Sequence, residues 1–483
     1  MEFNNSVNSL TAAEYIQIQI DDFLKSPQRR MMEDGERYYR VENTAVKSRK
    51  MIRYENETAV VDETKPNNRL AHGFMNTLVD DKVNYLLTKP FTMSCENEDY
   101  LNKVKDLLGK TFQKYFVKLG TDASNKGISW LHPYINPDGE FKIKAVAGEQ
   151  GVPAWRDDDH EVLDNFIWFY PVEMWEGKTK RTVVKAQFWT ADGVSYWVKD
   201  GEYSQTFILD SEMYLEEDLL VGEDNLQQHF MLGSEAGSWG AVPFIAFKNN
   251  EYEMSDLQRV KSLIDNYDFS RSDVANTLEE IKSVVYGLRG YGGTDLSEFM
   301  RDLAYYRAVK LDSDGGLETY NPSIDINAAK EHYDALKKDI FTFGQGVDKD
   351  SDRLGSSPSG VALKFMYSGL DLKCNKLESC FNDGFDNLLY FINRYFEVTG
   401  QGGETADIDL IFNRDIAINE SQAITDCRNS AGIISDETII ANHPWTKDVK
   451  EEMQRLEAQK QTAEEDYSGF GGIEENKEET EEE

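Results

Sequence analysis

The sequence predicts an α+β, mainly helical chain of several domains, on three observations. Apolar residues at Met366, Leu370, Cys374, Leu377, Phe381, Phe385, Leu388, Ile392 and Tyr395 cover 29 residues in eight steps. That mean of about 3.6 is a helix period. From Trp130 to residue 250 the pattern becomes short aromatic and β-branched runs between turn residues, which argues for a mainly antiparallel sheet. Two more helical stretches, 255–286 and 326–343, flank a glycine-containing module. A length of 483 residues leaves room for roughly two to four domains with ample core.

In chain order, Leu10, Ile16, Ile20, Phe23 and Leu24 predict helix within 10–41, turning polar after Pro27. A turn-rich passage ends at Pro66, where Asn67 or Asn68 can cap a helix carrying Leu70, Phe74, Leu78, Val83 and Leu86 as far as Pro90. Another helix is expected near 97–118. Strand-like runs follow at 163–171, 182–190, 193–199, 204–209 and 242–247, expected to form one sheet flanked by the N-terminal helices.

Ser255, with Gln258 three residues on, reads as a helix start. Leu257, Ile264, Arg271, Leu278 and Val285 recur every seven residues, as do Val260, Tyr267, Val274 and Ile281. Such a heptad seam suits a dimeric coiled coil, or a helix packed beside its own copies and the 326–343 helix. Gly287–Gly293 is expected to break this helix. Behind it come a short helix (Leu296–Leu303), a strand (Arg307–Leu311) and a turn at Asp312–Gly316. Pro322 and Asp325 mark the next helix start, and Ile326, Ala329, Tyr333, Leu336, Ile340 and Phe343 lie on one face. The segment Gly344–Gly360 holds four glycines, four serines and one proline. Loops of this length are functional or disordered far more often than they are tight turns. Beyond it the 361–398 helix is long enough to act as a strut, with Gly369 and Gly384 as candidate bends. A run at Ile408–Phe412 precedes helices near 419–431, 435–442 and 446–462, with Ser435 and Thr446 as caps. Disorder is the expectation for the acidic last 21 residues.

Charge narrows the function. The net charge is −36, from 52 basic and 88 acidic residues, of which the tail from Ala463 supplies −9 and the rest −27. A basic DNA-gripping groove does not fit that balance. Cys95, Cys374, Cys380 and Cys427 form no CxxC pair, as expected of free thiols in a reducing compartment. No apolar run reaches 18 residues and MEFNNSVNSL lacks a signal pattern, so a soluble, non-secreted protein is expected. His72, His132, His160, His229, His332 and His443 make no HExxH or HxH arrangement. Asp348, Asp350 and Asp352 imitate a calcium loop, but Arg353 stands where glycine is required and Ser359 where glutamate is. Neither a phosphate loop nor a GxSxG elbow is present. No metal, cofactor or enzymatic activity is expected.

Four phrases carry a family resemblance. They are Asn68–Arg69 with FMNTLVDDKVNYLLTKPF (Phe74–Phe91); SDLQRVKSLIDNYD (Ser255–Asp268); SGVALKFMYSGLDLKCNKLE (Ser359–Glu378); and FNRDIAINESQ (Phe412–Gln422) with GIISDETII (Gly432–Ile440). With the order of parts, they make the chain resemble the portal, or head-to-tail connector, proteins of tailed double-stranded DNA bacteriophages, in the branch common among siphophages.

The resemblance implies a ring, usually of twelve subunits, around a DNA tunnel at one capsid vertex of the virion, assembled in the host cytoplasm. By it, 1–252 is the wing, 253–286 and 326–343 the stem, 287–325 the clip, 344–360 the tunnel loop, 361–398 the long wing helix, 399–462 the crown and 463–483 an acidic tail. Stem packing falls to Leu257, Val260, Ile264, Tyr267, Val274 and Ile281. The tunnel loop offers Asp348, Lys349, Asp350, Asp352 and Arg353; the two bases are either transient phosphate contacts or solvated charges. Arg289, Tyr291, Asp295, Glu298 and Arg301 of the clip are the docking residues. Implied partners are other copies of the chain, double-stranded DNA bound without sequence specificity, the terminase large subunit, a head-completion adaptor, and the major capsid and scaffolding proteins, with no membrane. An acidic tunnel gives a phosphate backbone no sticking points. A self-assembling scaffold without a channel and a metal-dependent nuclease remain as other readings of the residues. Ring stoichiometry and a divalent-dependent cleavage assay discriminate them.

Overall fold

Capping chemistry sets where the first helices begin. Thr11 Oγ1 accepts from the Glu14 amide at 3.3 Å and the Glu14 carboxylate takes the Thr11 amide at 2.9 Å, a reciprocal box that opens α1 (Ala12–Lys25). Ser26 caps α2 (Pro27–Tyr39), whose first residue is a proline, where the missing N–H costs nothing. The computed structural model describes residues 10–55, 57–201, 205–214, 226–280, 285–289, 297, 316–320, 325–349, 360–414, 420–446, 449 and 452–460. It divides into two units, Met1–Asp348 with Gly369–Asp415, and Lys349–Ser368 with Ile416–Glu483.

In the first unit α3 (Thr44–Lys47) and a hairpin of β1 (Ile52–Glu55) and β2 (Thr58–Val61) lead to α4 (Phe74–Leu87). The expected asparagine cap is not there: Gly73 occupies the N-cap, because Asn68 is engaged elsewhere. After β3 (Thr92–Ser94), the single helix expected near 97–118 is two, α5 (Glu98–Leu108) and α6 (Phe112–Lys126). Gly109 separates them at φ 65°, a conformation that ends a helix.

Among the described residues, the β region holds two larger sheets and a separate two-stranded one rather than a single sheet. Strands β4 (Ile128–Ile135), β5 (Phe141–Val146), β6 (Gly151–Trp155), β7 (Leu163–Glu176), β8 (Thr179–Trp189), β9 (Val194–Asp200), β10 (Ile208–Leu209), β11 (Phe230–Leu232), β12 (Glu235–Gly237) and β13 (Ile245–Lys248) follow in order. One antiparallel sheet runs β10-β9-β8-β7-β6 and the other β13-β4-β5. The 242–247 run thus pairs with β4, not with the other expected strands. β4 is buried at nearly every position, so its sequence lacks the alternation that marks a one-sided strand. The two sheets meet through aromatic rings: Phe166 stacks on Phe244 at 4.0 Å and Trp130 meets Phe166 edge-on at 4.6 Å. Ile16, Ile20 and Phe23 of α1 close the same core.

Two histidines are sealed into this region. His132 stacks on Phe244 at 4.5 Å and its Nδ1–H donates to the Pro243 carbonyl at 2.6 Å. His229 donates from Nε2 to the Thr190 carbonyl (3.0 Å) and accepts the Trp239 amide at Nδ1 (3.1 Å). Burial pushes both down to about 4. Between pH 6.5 and 4 the unfolded chain therefore binds protons that the folded chain refuses, so stability is full above 6.5 and falls toward pH 4. Asp122, pushed up to about 6 by burial despite Lys126, works oppositely over part of that window. Two histidines outweigh one aspartate, so the melting temperature is expected to drop from pH 7 to pH 5, and His132→Phe should flatten that slope. A melting temperature constant over that range would contradict the assignment.

The remaining elements are α7 (Lys261–Glu280), β14 (Val285–Arg289), β15 (Gly316–Tyr320), α8 (Ile326–Phe343), α9 (Gly360–Val398), β16 (Asp409–Ile411), α10 (Glu420–Ser430) and α11 (Asp436–Asn442). The heptad helix is shorter than its pattern at both ends. Ser255 caps a 3-10 turn, Asp256–Arg259, before α7 begins. Val285, the last heptad position, opens a strand: Val285–Arg289 pairs antiparallel with Gly316–Tyr320, so Gly287 lies within a ladder and does not break the chain. The expected helix Leu296–Leu303 and strand Arg307–Leu311 lie outside the described residues, apart from Ser297. Asp325 caps α8 as expected, accepting from the Asn327 and Ala328 amides at 3.0 Å. Within the expected run 408–412, Asp409–Ile411 form β16 and pair with β3.

The long helix is more than a strut. From Leu370 to Tyr395 its whole predicted stripe is buried, with Phe381 5.7 Å from Phe116 and 5.0 Å from Phe247. From Gly369 onward it is the central packing element of the first unit; the whole helix has 39 residues, roughly 58 Å at ~1.5 Å per residue. Gly384 interrupts nothing; without a Cβ it lets the Phe247 ring lie directly against the helix.

Candidate functional site

Three sets of polar contacts involve α7, α8 and α9. The first is the C-terminus of α8. The Gly346 amide donates to the Phe341 carbonyl (2.9 Å) and the Gln345 amide to Thr342 (3.3 Å), with Gln345 at φ 54°. That is a Schellman ending with glutamine in the left-handed position that glycine usually takes. A Cβ on Gly346 would run into Leu78, and Val347 is buried. Gly344 and Gly346 therefore serve a packed turn, not the mobile loop expected from Gly344 onward. A proline at 346 would break that turn, because it lacks the N–H that bonds the Phe341 carbonyl.

This turn is fastened from three sides. Arg259 Nη1 donates to Gln345 Oε1 at 2.6 Å, Lys373 Nζ to the Gly344 carbonyl at 3.0 Å, and Lys337 lies 3.7 Å from Asp348. Lys373 continues into an enclosed ion cluster. Asp256 Oδ2 lies 2.7 Å from Lys82 Nζ and 3.0 Å from Lys373 Nζ. Asn249 accepts from Lys82 (2.7 Å) and donates to Asp256 (3.0 Å). Lys82, Asp256 and Lys373 are 1%, 6% and 8% exposed. Burial pushes Lys82 down to about 8 against the pull of Asp256. Burial pushes the Asp256 carboxyl up, but Lys373 and Lys82 outweigh it and hold it well below the usual range.

The second ladder joins α7 to the segment before α4. Asp268, Ser272 and Asn276 are buried on one face of α7. They accept the amides of His72 (3.1 Å), Leu70 (3.0 Å) and Asn68 (2.6 Å). Four helical residues rise about 6 Å and two extended residues about 6.6 Å, so every second amide meets every fourth side chain. Asp268 also holds His72 Nδ1 (2.7 Å) and the Asn43 amide group.

In the third ladder, Arg414 reaches Asp371 (2.7 Å), Glu378 (2.6 Å) and Asn375 along one face of α9, while Tyr85 donates to Asp371 at 2.7 Å. Asp371, Asn375 and Glu378 are spaced four and three residues apart, so one guanidinium can fork across them.

The expected site residues fall as follows. Leu257, Val260 and Ile264 are buried within their own chain, Leu257 in the 3-10 turn and Val260 directly after it. Tyr267 packs on His72 (4.8 Å), Phe74 (4.9 Å) and Tyr333 of α8 (6.0 Å). Val274 is half-buried, and Arg271, the seam's odd residue, lies over the Tyr333 ring at 5.0 Å. Ile281 lies outside the described residues. Of the loop residues Asp348 and Lys349 are described; Asp350, Asp352 and Arg353 are not. Of the clip residues Arg289 is described, paired through its backbone with Gly316; Tyr291, Asp295, Glu298 and Arg301 are not. No group of metal-ligating side chains occurs among the described residues, nor any helix long and apolar enough to cross a membrane.

Sequence reasoning missed Lys82, Asp256, Lys373, Asp268 and Arg414. One signal was available: Lys82 falls on the same helical face as Leu78, Val79, Val83 and Leu86, and a lysine inside an apolar stripe needs a buried partner. All four phrases of the resemblance converge here, supplying Lys82 and Tyr85, then Asp256, then Asp371 and Lys373, and last Arg414.

Comparisons with known proteins bear on the family. The family model described as "Phage portal protein, SPP1 Gp6-like" matches residues 25–466. The portal protein of Bacillus phage SPP1 is 31% identical over 428 residues, 88% of this chain and 82% of that relative. The portal protein of Clostridium phage phiCD119 is 31% identical over 455 residues, 90% of this chain and 94% of the relative. Among solved structures, a chain from the neck of a native GTA particle computed with C12 symmetry covers 77% of this chain and 91% of its own length, at 12% identity and a TM-score of 0.37. With one family model running through the unit that carries all three ladders and into the helices behind Arg414, the chain belongs to the SPP1 Gp6-like family of phage portal proteins.

Proposed function

We propose that copies of this chain form a ring-shaped channel at one capsid vertex, through which genomic DNA is packaged and later ejected. The observation that carries the reading is the family match from residue 25 to 466, which leaves no large part of the chain for another task. In this reading 1–252 is the wing, 253–286 and 326–343 are the stem, 287–325 is the clip, 344–360 the tunnel loop, 361–398 the long wing helix, 399–462 the crown and 463–483 an acidic tail. The clip docks the terminase and later a head-completion adaptor, and the wing faces the capsid and scaffolding proteins. The fastened α8 turn supports this by giving the following segment a fixed base. A net charge of −36 suits a wall that DNA slides past.

Negative-stain imaging of the purified chain should show rings with a central hole; dimers or trimers alone would refute the channel. Within the loop, Asp350→Lys with Asp352→Lys should make DNA stick and slow packaging several-fold at low salt, with recovery as salt screens the added charge. Packaging at wild-type rate and length would remove the loop from the tunnel wall.

A further inference from the structure

The β1–β2 hairpin is firmly rooted and yet buries almost nothing. Ile52 pairs with Val61, Arg53 with Val60, Tyr54 with Ala59 and Glu55 with Thr58, and no third strand joins them among the described residues. All of these residues but Val60 are exposed, and a two-stranded sheet that bare is marginal in water by itself. The root holds it in place. The Asp62 amide donates to the Met51 carbonyl at 2.8 Å, and the Asp62 carboxylate takes the Thr64 amide (3.0 Å) and hydroxyl (2.6 Å). Arg49 is paired with Asp273 of α7, Asn67 Nδ2 donates to the Arg49 carbonyl (3.4 Å), and Arg69 Nη1 to the Lys47 carbonyl (3.1 Å).

Residues directly opposite each other share a face of the sheet, so Ile52, Tyr54, Ala59 and Val61 make one apolar face. Ile52 is 57% exposed, Tyr54 77% and Val61 50%. Bonded and non-bonded pairs alternate along an antiparallel ladder. Because Met51 and Asp62 are a bonded pair, so are Arg53 with Val60 and Glu55 with Thr58. The N–H and C=O groups of Ile52 and Tyr54 therefore face outward along the free edge of β1. Charge singles out the same edge. From Thr44 to Arg53 the chain carries Lys47, Arg49, Lys50 and Arg53 and no acid, in a protein of net charge −36.

We propose that the β1 edge takes an extended, acidic strand of a partner protein, whose alternate apolar side chains cover Ile52, Tyr54 and Val61. Main-chain bonds to Ile52 and Tyr54 would supply affinity, and the apolar face with the flanking bases would supply selectivity. A nucleic acid fits less well: Glu57 in the turn and Glu63 behind β2 are exposed and repel a phosphate backbone, while an apolar face offers it nothing. This docking requires neither a ring nor a channel.

The test is hydrogen exchange of the full chain with and without a synthetic peptide alternating valine and glutamate, beside fluorescence anisotropy of the labelled peptide. Binding should slow exchange at the Ile52 and Tyr54 amides, and should be about tenfold or more tighter than for a peptide alternating valine and lysine. Ile52→Asp with Tyr54→Asp should weaken binding about tenfold, as should Lys50→Glu with Arg53→Glu, with no change in melting temperature because these side chains are exposed. Protection at Ala59 and Val61 in place of Ile52 and Tyr54, protection at neither pair, or equal binding of the lysine peptide overturns the proposal. Protection that rises with the protein's own concentration, without peptide, would assign the edge to a second copy. Duplex DNA binding that the Lys50→Glu, Arg53→Glu variant loses, with no peptide binding, would assign the surface to nucleic acid. Either result overturns the proposal as well.

Discussion

Asp256→Ala is expected to cost the chain about 3–5 kcal/mol, because it strands two buried ammonium groups with no counter-charge. Lys82 and Lys373 both lie within 3.0 Å of this one carboxylate, and both are buried. A loss of that size is a large share of the roughly 5–15 kcal/mol that holds a typical domain. The damage should also spread, since Lys373 holds the Gly344 carbonyl and Asn249 would lose an acceptor. Calorimetry or urea unfolding of the variant measures the loss directly. The triple change Lys82→Met, Asp256→Leu and Lys373→Met should recover most of it, because removing all three charges also removes their desolvation cost. A single Asp256→Ala variant within about 1 kcal/mol of wild type, or a triple variant no better than the single, would show that the cluster is open to water.

Replacing residues 290–315 by Asn-Gly is expected to abolish DNA packaging while leaving ring assembly in place. Arg289 and Gly316 are direct partners at the end of the β14–β15 ladder. A two-residue type I′ turn can therefore close it with little strain. What is lost is the segment proposed to dock the terminase motor, so the effect on packaging should be complete and not graded. Ring formation by size-exclusion and imaging, beside a packaging assay, separates the two outcomes. Packaging at normal rate without 290–315 would remove the docking role from the clip. Loss of rings would instead make the segment part of the assembly surface.

Much of this architecture was legible in the chain because periodicity reports which face of an element is covered. The stripe from Leu370 to Tyr395 was readable residue by residue, and so was the start of α8 at Asp325, because a cap is local chemistry. The runs at 163–171, 182–190 and 193–199 likewise announced strands by composition, and strands Leu163–Glu176, Thr179–Trp189 and Val194–Asp200 overlap them. Four phrases spread from Asn68 to Ile440 were enough to place the chain in its family. Tertiary structure alone decided the rest. β4 was unreadable as a strand since both its faces are covered, and partner choice split one expected sheet into two. Gly109 and Gly346 look alike in sequence, yet one ends a helix by its dihedral and the other makes room for Leu78. The heptads predicted a longer α7, but a 3-10 turn can carry the same spacing, and Val285 finds a strand partner 35 residues away. The ion cluster of Lys82, Asp256 and Lys373 gathers residues separated by 174 and 117 positions. A buried charge is tolerable only beside its partner, and no local pattern records a partner that the fold brings from so far along the chain.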